Sequence, residues 1–345
     1  RDLISAGRRN LIINGDMRVS QRLGSSGEND ITGTADGFGV DRFRSWQAGG
    51  GELKLQQSTN APPGFTNSLL MTVNTADTSV TASEYYVLQQ RIEGLNTHHL
   101  NWGTSNAKDV TLSFWVRSSV SGIYSVSLWQ SAQTYNYITD YTINNVNTWE
   151  YKTITIPGPT GGTWATNNGT GIGIWWDLGS GTTYSTATTE TWGQSNKFRV
   201  PSQTSWIGTG SAEFRLTGVQ LEAGKNATDF EHRSYGEELA LCQRYYEKIQ
   251  PSNRVQGKMH TGTQAHFSLP FKVTKRTTAT VVSAECAYSS LWDGTSTYNS
   301  TVTFSNDGIG AYDVTFRLSL SSTYSGADYR NIGGYGLVCA ITAEL

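Results

Sequence analysis

The sequence predicts an all-β protein: two β-sandwich, jelly-roll-like domains joined by a short helix. Three observations predict it. The 345 residues include 37 Gly and only 7 Pro, and Ser, Thr and Asn are abundant, a mixture that suits short strands joined by polar turns and disfavours helices. Aromatics reach 11%, with 11 Trp, too many for a disordered chain. Several segments alternate apolar and polar residues with a period of two. The length gives each of two domains enough chain to bury its own core.

The elements follow in order. Asn10 to Asn14 form a short apolar run that stops at Gly15-Asp16, and residues 23–37 read as a Gly/Ser/Thr-rich loop. Over 110–117, Val110, Leu112, Phe114 and Val116 share one face, and Thr111, Ser113, Trp115 and Arg117 share the other, the signature of a half-buried strand. Ser121-Gly122 then leads into 123–129, where Tyr124, Val126 and Leu128 alternate with polar residues, so the two segments are expected to form a hairpin. Further strands are expected at 149–156, 171–177 and 213–221. In the last, Phe214 and Leu216 share one parity and Val219 and Leu221 the other, which places a bulge at Gly218. Ser234 followed by Glu237 forms a capping box, and Leu239, Cys242 and Tyr246 fall on one helical face, predicting a helix over 234–248. Strands resume after Pro251. Pro270 marks an edge strand or bulge, Tyr312 to Leu320 alternate cleanly, and 335–341 is apolar at both parities. The expected division is a leading segment 1–9, a jelly roll 10–232, a connecting helix 233–250 and a C-terminal β-sandwich 251–345.

A net charge of -2 with 16% charged residues gives no basic face for nucleic acid. No apolar run has the length of a membrane span. The three cysteines, Cys242, Cys286 and Cys339, are odd in number and widely spaced, so they are expected to be reduced core fillers. The chain opens on Arg1, and an N-terminal anchor is expected to precede it. No nucleophile elbow, phosphate loop or Cys-x-x-Cys is present. His98-His99 reads as a solvated loop pair, and the glycines at 169, 171 and 173 as turn residues. A glycosidase needs two carboxylates across a cleft. Glu84, Glu93, Asp140, Glu150 and Asp177 are available, but no pair among them is legible, so no enzyme is expected.

Three segments resemble a known family. Residues 9–22 read Arg-Asn-Leu-Ile-Ile-Asn-Gly-Asp-Met-Arg-Val-Ser-Gln-Arg, and residues 35–43 read Ala-Asp-Gly-Phe-Gly-Val-Asp-Arg-Phe. Residues 214–248 run from Phe-Arg-Leu-Thr-Gly-Val-Gln-Leu-Glu-Ala-Gly to Cys242-Gln243-Arg244-Tyr245-Tyr246. Together they resemble tail-fibre and related virion proteins of bacteriophages, especially those of marine bacteria. Asp229 stands where that pattern has Pro. The resemblance implies a structural virion protein, a tail fibre or receptor-binding component attached to host surface polysaccharide. It also implies a homotrimer in contact with other virion proteins. A capsid or baseplate decoration protein is the alternative, and a glycan-cleaving tailspike the third reading.

Residues 10–222 are also similar to carbohydrate-binding jelly rolls, through Asn10 to Asp16, Ser113-Phe114-Trp115-Val116, Thr148-Trp149-Glu150 and Leu221-Glu222. Such modules hold a structural Ca²⁺ near the first and last strands, which makes Asp16 and Glu222 the candidate ligands, with ordinary surface carboxylates as the other reading. Flat aromatic faces stack on sugar C–H groups. Trp175 is out of phase with Ile172, Ile174 and Trp176 and is expected to point outward, as is Trp129. Tyr135, Tyr137, Trp164 and Trp192 read as aromatics in polar loops. Tyr135, Tyr137, Trp175 and Trp192 are therefore the candidate glycan contacts, with contact to another subunit as the alternative.

Overall fold

The computed structural model describes residues 8–249, 255–261, 264–287, 290–292, 297–298, 303–309, 313–319, 331–335 and 338–345. The chain divides into two units between Glu238 and Leu239. The first carries β1 (Glu28–Thr32), β2 (Ala35–Val40), β3 (Phe43–Ala48), β4 (Glu52–Ser58), β5 (Ser68–Thr75) and β6 (Tyr85–Glu93). It continues with β7 (Val110–Ser118), β8 (Gly122–Trp129), β9 (Asn136–Ile143), β10 (Glu150–Ile156), β11 (Thr170–Asp177) and β12 (Glu213–Ala223). These form two six-stranded antiparallel sheets. Sheet I has the order β1-β4-β5-β12-β7-β10, and sheet II the order β2-β3-β6-β11-β8-β9.

The alternating apolar sets meet between the sheets. From sheet I come Val110, Leu112, Phe114 and Val116, and from sheet II Tyr124, Val126, Leu128, Ile174 and Trp176, all fully buried. Phe114 meets Trp176 edge-on at 5.9 Å and Tyr141 at 5.1 Å. Each such side chain contributes about 2–3 kcal/mol by leaving water. This core explains why the expected hairpin over 110–129 does not form. β7 and β8 both turn their apolar faces to the same interior, so the chain crosses from sheet I to sheet II between them. The Tyr124 hydroxyl fixes the crossing by donating to the Val120 carbonyl at 2.7 Å.

One further expectation changes and another holds. The loop expected over 23–37 contains β1 and the start of β2. The polar β1 is an edge strand, held by its ladder to β4 from Glu28↔Gln56 to Thr32↔Glu52. The bulge in β12 is present: Gly218 has φ +61, and the register to β7 shifts between Thr217 and Gln220.

The outer face of sheet II is roofed. Trp175 and Trp129 do point away from the core, as their parity requires, but both are buried beneath the segment after β11. Phe198 meets Trp175 edge-on at 4.8 Å and stacks on Tyr184 at 4.6 Å. Trp129 lies flat over Gly173 of β11, where a Cβ would overlap its ring.

Helix α1 (Tyr235–Gln243) opens with the capping bond of the Glu237 amide to the Ser234 hydroxyl at 3.3 Å. It is shorter than the helix expected over 234–248, because Tyr246 to Ile249 form β13 (Tyr246–Ile249). The second unit continues with β14 (Val255–Thr261), β15 (Gln264–Pro270), β16 (Thr280–Ala287), β17 (Ser290–Trp292) and β18 (Thr297–Tyr298). It ends with β19 (Thr303–Ile309), β20 (Asp313–Ser319), β21 (Asn331–Tyr335) and β22 (Val338–Thr342). One sheet has the order β13-β22-β16 and the other β18-β17-β21-β14-β15-β20-β19. Pairing of Tyr246 with Thr342 and of Ile249 with Cys339 takes these residues from the helix, a tertiary ladder overriding local propensity. Glu247 of β13 is buried with Lys275 at 2.5 Å. Cys242 is buried as a thiol, while the side chains of Cys286 and Cys339, and residues Tyr312 and Leu320, lie outside the described residues. Among the described residues no helix is long and apolar enough to cross a membrane.

The Trp129–Gly173 contact makes a prediction. Gly173→Ala must displace the indole from a closed face, so the variant is expected to lose about 1–3 kcal/mol of stability, read as a lower urea midpoint with unchanged slope.

Candidate functional site

The outer face of sheet I carries an open groove. In β7 the residues that turn away from the core are Thr111, Ser113 and Trp115, and in β10 they are Tyr151, Thr153 and Thr155. The register sets them side by side as three rungs: Trp115↔Tyr151, Ser113↔Thr153 and Thr111↔Thr155. The first rung is aromatic, with ring centroids 5.3 Å apart, and Tyr151 is 44% exposed. The groove above these rungs has a volume of about 660 Å³.

Phe65, Phe230 and His232 form its side wall. Phe65 meets Phe230 at 5.1 Å and His232 at 5.4 Å. Gly218 lets this wall reach the floor, since a Cβ there would stand 2.7 Å from Phe65 and 3.0 Å from Trp115. The parity change at Gly218 also turns Gln220 and Glu222 outward, and both hold the segment 228–231 against the sheet. Glu222 accepts the Thr228 amide at 2.9 Å and its hydroxyl at 2.7 Å, and Gln220 accepts the Glu231 amide at 2.9 Å. Burial opposes ionisation of Glu231, but the amides of Arg9 and Asn10 and the Arg233 guanidinium outweigh it and hold this carboxyl below its usual range.

The third rung is already engaged. Thr111 donates to the Gly224 carbonyl at 2.9 Å and Thr155 to the Lys225 carbonyl at 2.9 Å. The hydroxyls of Ser113 and Thr153 on the middle rung have no protein partner among the described residues. The groove therefore offers an aromatic platform beside two uncommitted hydroxyls, each able to donate and accept. Its lining holds one carboxylate, Asp229, and one ammonium, Lys225, which lies 3.4 Å from Asp109.

The structure brings three of the four sequence-predicted aromatics together, in another place. Tyr135 stacks on Trp192 at 6.0 Å with planes 10° apart, and Tyr137 meets Trp192 at 5.3 Å. Trp102 and Trp164 close the cluster, each 5.4 Å from Trp192. The indole N–H groups of Trp192, Trp164 and Trp102 donate to the carbonyls of Pro157, Gly161 and Lys108. Tyr137 belongs to β9, not to a loop, and is buried. This cluster extends the main core, to which Trp102 and Tyr137 belong, and Tyr135 and Trp192 are half-buried in it. Trp175 stands apart under its roof and has no open face for a ligand.

The two carboxylates considered for Ca²⁺ serve different arginines. Asp16 pairs with Arg18, while Glu222 lies 3.6 Å from Arg9 and holds the groove wall. Among the described residues no three His, Cys, Asp or Glu side chains cluster to hold a metal ion. The His98 Nδ1–H donates to the Leu95 carbonyl at 2.8 Å, and its ring stands at 89° to that of His99. None of Glu84, Glu93, Asp140, Glu150 and Asp177 lines the groove. Glu150 is tied to Lys152 at 2.6 Å, and Glu93 and Asp177 are buried.

The groove residues were partly visible in sequence. The alternation over 110–117 sets Trp115 among polar side chains, and Tyr151-Lys-Thr153-Ile-Thr155 repeats the pattern. Phe65, Phe230 and His232 come from irregular segments with no periodic signal.

No protein-family model matches the chain, and no curated protein matches it. Solved structures similar to it include the enzymatically active domain of bacteriophage CBA120 tailspike protein 4. The identity is 13% over 62% of this chain and 21% of that one, with a TM-score of 0.30, so the chain spans about a fifth of the tailspike. A family 11 carbohydrate-binding module from Clostridium thermocellum, in complex with a β-1,3-1,4-mixed-linked tetrasaccharide, is 14% identical over 59% of this chain and 98% of that one, TM-score 0.28. TmCBM61 in complex with β-1,4-galactotriose is 10% identical over 63% of this chain and all (100%) of that one, TM-score 0.29.

Asp177 gives a pH prediction. Burial pushes its carboxyl up to about 6 from 3.8, against the Gly179 and Ser180 amides that favour the ion. A folded pKa above the unfolded one gives stability that is complete below the unfolded value and lost as pH rises through the folded one. Asp177→Asn removes that loss. The stability of the variant relative to the parent is expected to rise by up to about 3 kcal/mol between pH 4 and 6.5 and then level off, as measured by denaturant titration across that range. A pH-independent difference would show that Asp177 does not carry this burden.

Proposed function

We propose that this chain is a non-catalytic, glycan-binding β-sandwich protein of a bacteriophage virion, a tail-fibre or receptor-binding component. It attaches to host surface polysaccharide through the sheet I groove. The observation that carries the binding reading is the Trp115–Tyr151 platform set beside the uncommitted hydroxyls of Ser113 and Thr153. An aromatic face takes the C–H side of a sugar ring, and the neighbouring hydroxyls orient its O–H groups. A lining with one carboxylate lacks the pair that glycosidic cleavage requires.

The virion assignment rests on the sequence resemblance of residues 9–22, 35–43 and 214–248. A homotrimer belongs to the same reading. Single sites on a nearly neutral protein bind modestly, and several copies acting together raise avidity without new contacts.

Trp115→Ala and Tyr151→Ala are each expected to weaken glycan binding about tenfold, a loss of about 1.4 kcal/mol, with little change in melting temperature. Glycan-array binding by the purified protein, at low and high salt, checks this. Weak salt dependence is expected, because few charges line the groove. Variants that bind glycans normally but fail to enter particles would make the groove an assembly contact and favour a decoration role.

A further inference from the structure

We infer that the sheet I groove takes the end of a neutral glycan chain and not its interior, an inference that rests on the glycan-binding reading. The geometry closes the groove in both directions in which a straight chain would run. Along the strands, the turn after β12 lies across the third rung. Its Gly224 carbonyl sits on Thr111 of β7, and its Lys225 carbonyl sits on Thr155 of β10, each at 2.9 Å. One turn thus spans two adjacent strands and lines that end of the groove, engaging both hydroxyls of the rung. Across the strands, the wall of Phe65, Phe230 and His232 stands over β12. The opposite side is open, because β10 is the edge strand of sheet I.

A polymer interior needs two exits in line. Here a chain lying parallel to the strands meets the turn, and one lying across them meets the wall. A chain end needs only one exit. The floor that the turn leaves uncovered consists of the aromatic rung and the hydroxyl rung, in which Thr153 is exposed and Ser113 is buried beside it. The two rungs are separated by two residues of strand, about 7 Å, so the floor holds about one or two sugar rings.

The closures are built, not incidental. The wall is pinned by Glu222 and Gln220, both buried, and by the Arg9 guanidinium on the Asp229 carbonyl at 2.5 Å. The lining holds one ammonium, the exposed Lys225 at 3.4 Å from Asp109, and one carboxylate, Asp229, so it carries no excess of either charge. A neutral terminal sugar suits this arrangement.

The test uses the full chain with linear neutral polysaccharides, a β-1,4-galactan, a β-1,3-1,4-glucan and a mannan, each intact and partly hydrolysed to shorter chains at constant mass. Binding capacity on the bound polymer is expected to rise in proportion to the number of chain ends. Di- and hexasaccharides should compete equally per mole. Trp115→Ala should abolish the end-dependent signal. Capacity that follows sugar mass, with affinity climbing from di- to hexasaccharide, would overturn the inference while leaving glycan binding intact. End-dependent binding that survives in Trp115→Ala would place recognition elsewhere and overturn it as well. Binding to none of the three polymers would count against the glycan reading itself, and this inference would fall with it.

Discussion

The groove depends on one backbone constraint, the bulge at Gly218. β12 lies inside sheet I, between β5 and β7. Before the bulge Phe214 and Leu216 enter the core, and after it Val219 and Leu221 do so. The single extra residue keeps the core filled on both sides while reversing which side chains face out. Gln220 and Glu222 thereby reach the segment that returns over the sheet and hold it as a wall. A left-handed φ at this point is tolerated by glycine at little cost, and the missing side chain lets Phe65 approach Trp115. The wall follows from that residue, while the floor follows from the β7–β10 register and the closed end from the turn after β12.

Aromatic side chains of the first unit meet four different environments. Those of correct parity, such as Phe114 and Trp176, fill the space between the sheets. Those of opposite parity on sheet II, Trp129 and Trp175, are covered by Phe198, Tyr184 and their segment. A third group, centred on Trp192, ties loops together through ring contacts and indole bonds to backbone carbonyls. On sheet I the outward pair Trp115 and Tyr151 keeps an open face, because the returning segment covers β12 and the end of β7 and stops short of the first rung.

The buried charges of the first unit act in the same structural sense. Arg233 donates to the Asn10 and Ile12 carbonyls and pairs with Glu231 and Glu238, and Glu238 in turn accepts the Asn14 amide at 2.5 Å. Breaking such a network leaves a charge without a partner, at a cost of about 3–5 kcal/mol. The segment 10–19 is thus fixed to the residues just after the groove wall. Asp16 and Glu222, which sequence alone suggested as ion ligands, are members of this scaffold through Arg18 and Arg9.

The sequence by itself determined the fold class, the strands β7, β8, β10, β11 and β12 of the first unit, the capped start of α1 and the bulge. Each of these is written in local periodicity or in turn and cap residues, which neighbouring positions enforce. The strand alternation even assigned Trp175 and Trp129 to the outer face correctly. What it did not contain was which outer face is roofed. A parity of two states only that a side chain leaves the core, and solvent, a covering segment or a ligand then satisfies it equally well. The chain crossing between β7 and β8, the end of α1 at Gln243 and the polar edge strand β1 were likewise decided by pairing with residues far away in sequence. So was the groove, whose wall residues Phe65, Phe230 and His232 lie in irregular segments about 165 positions apart at their extremes. Tertiary structure decides such features because long-range contacts carry no local signal: only the packed sheets determine which aromatic is left facing water.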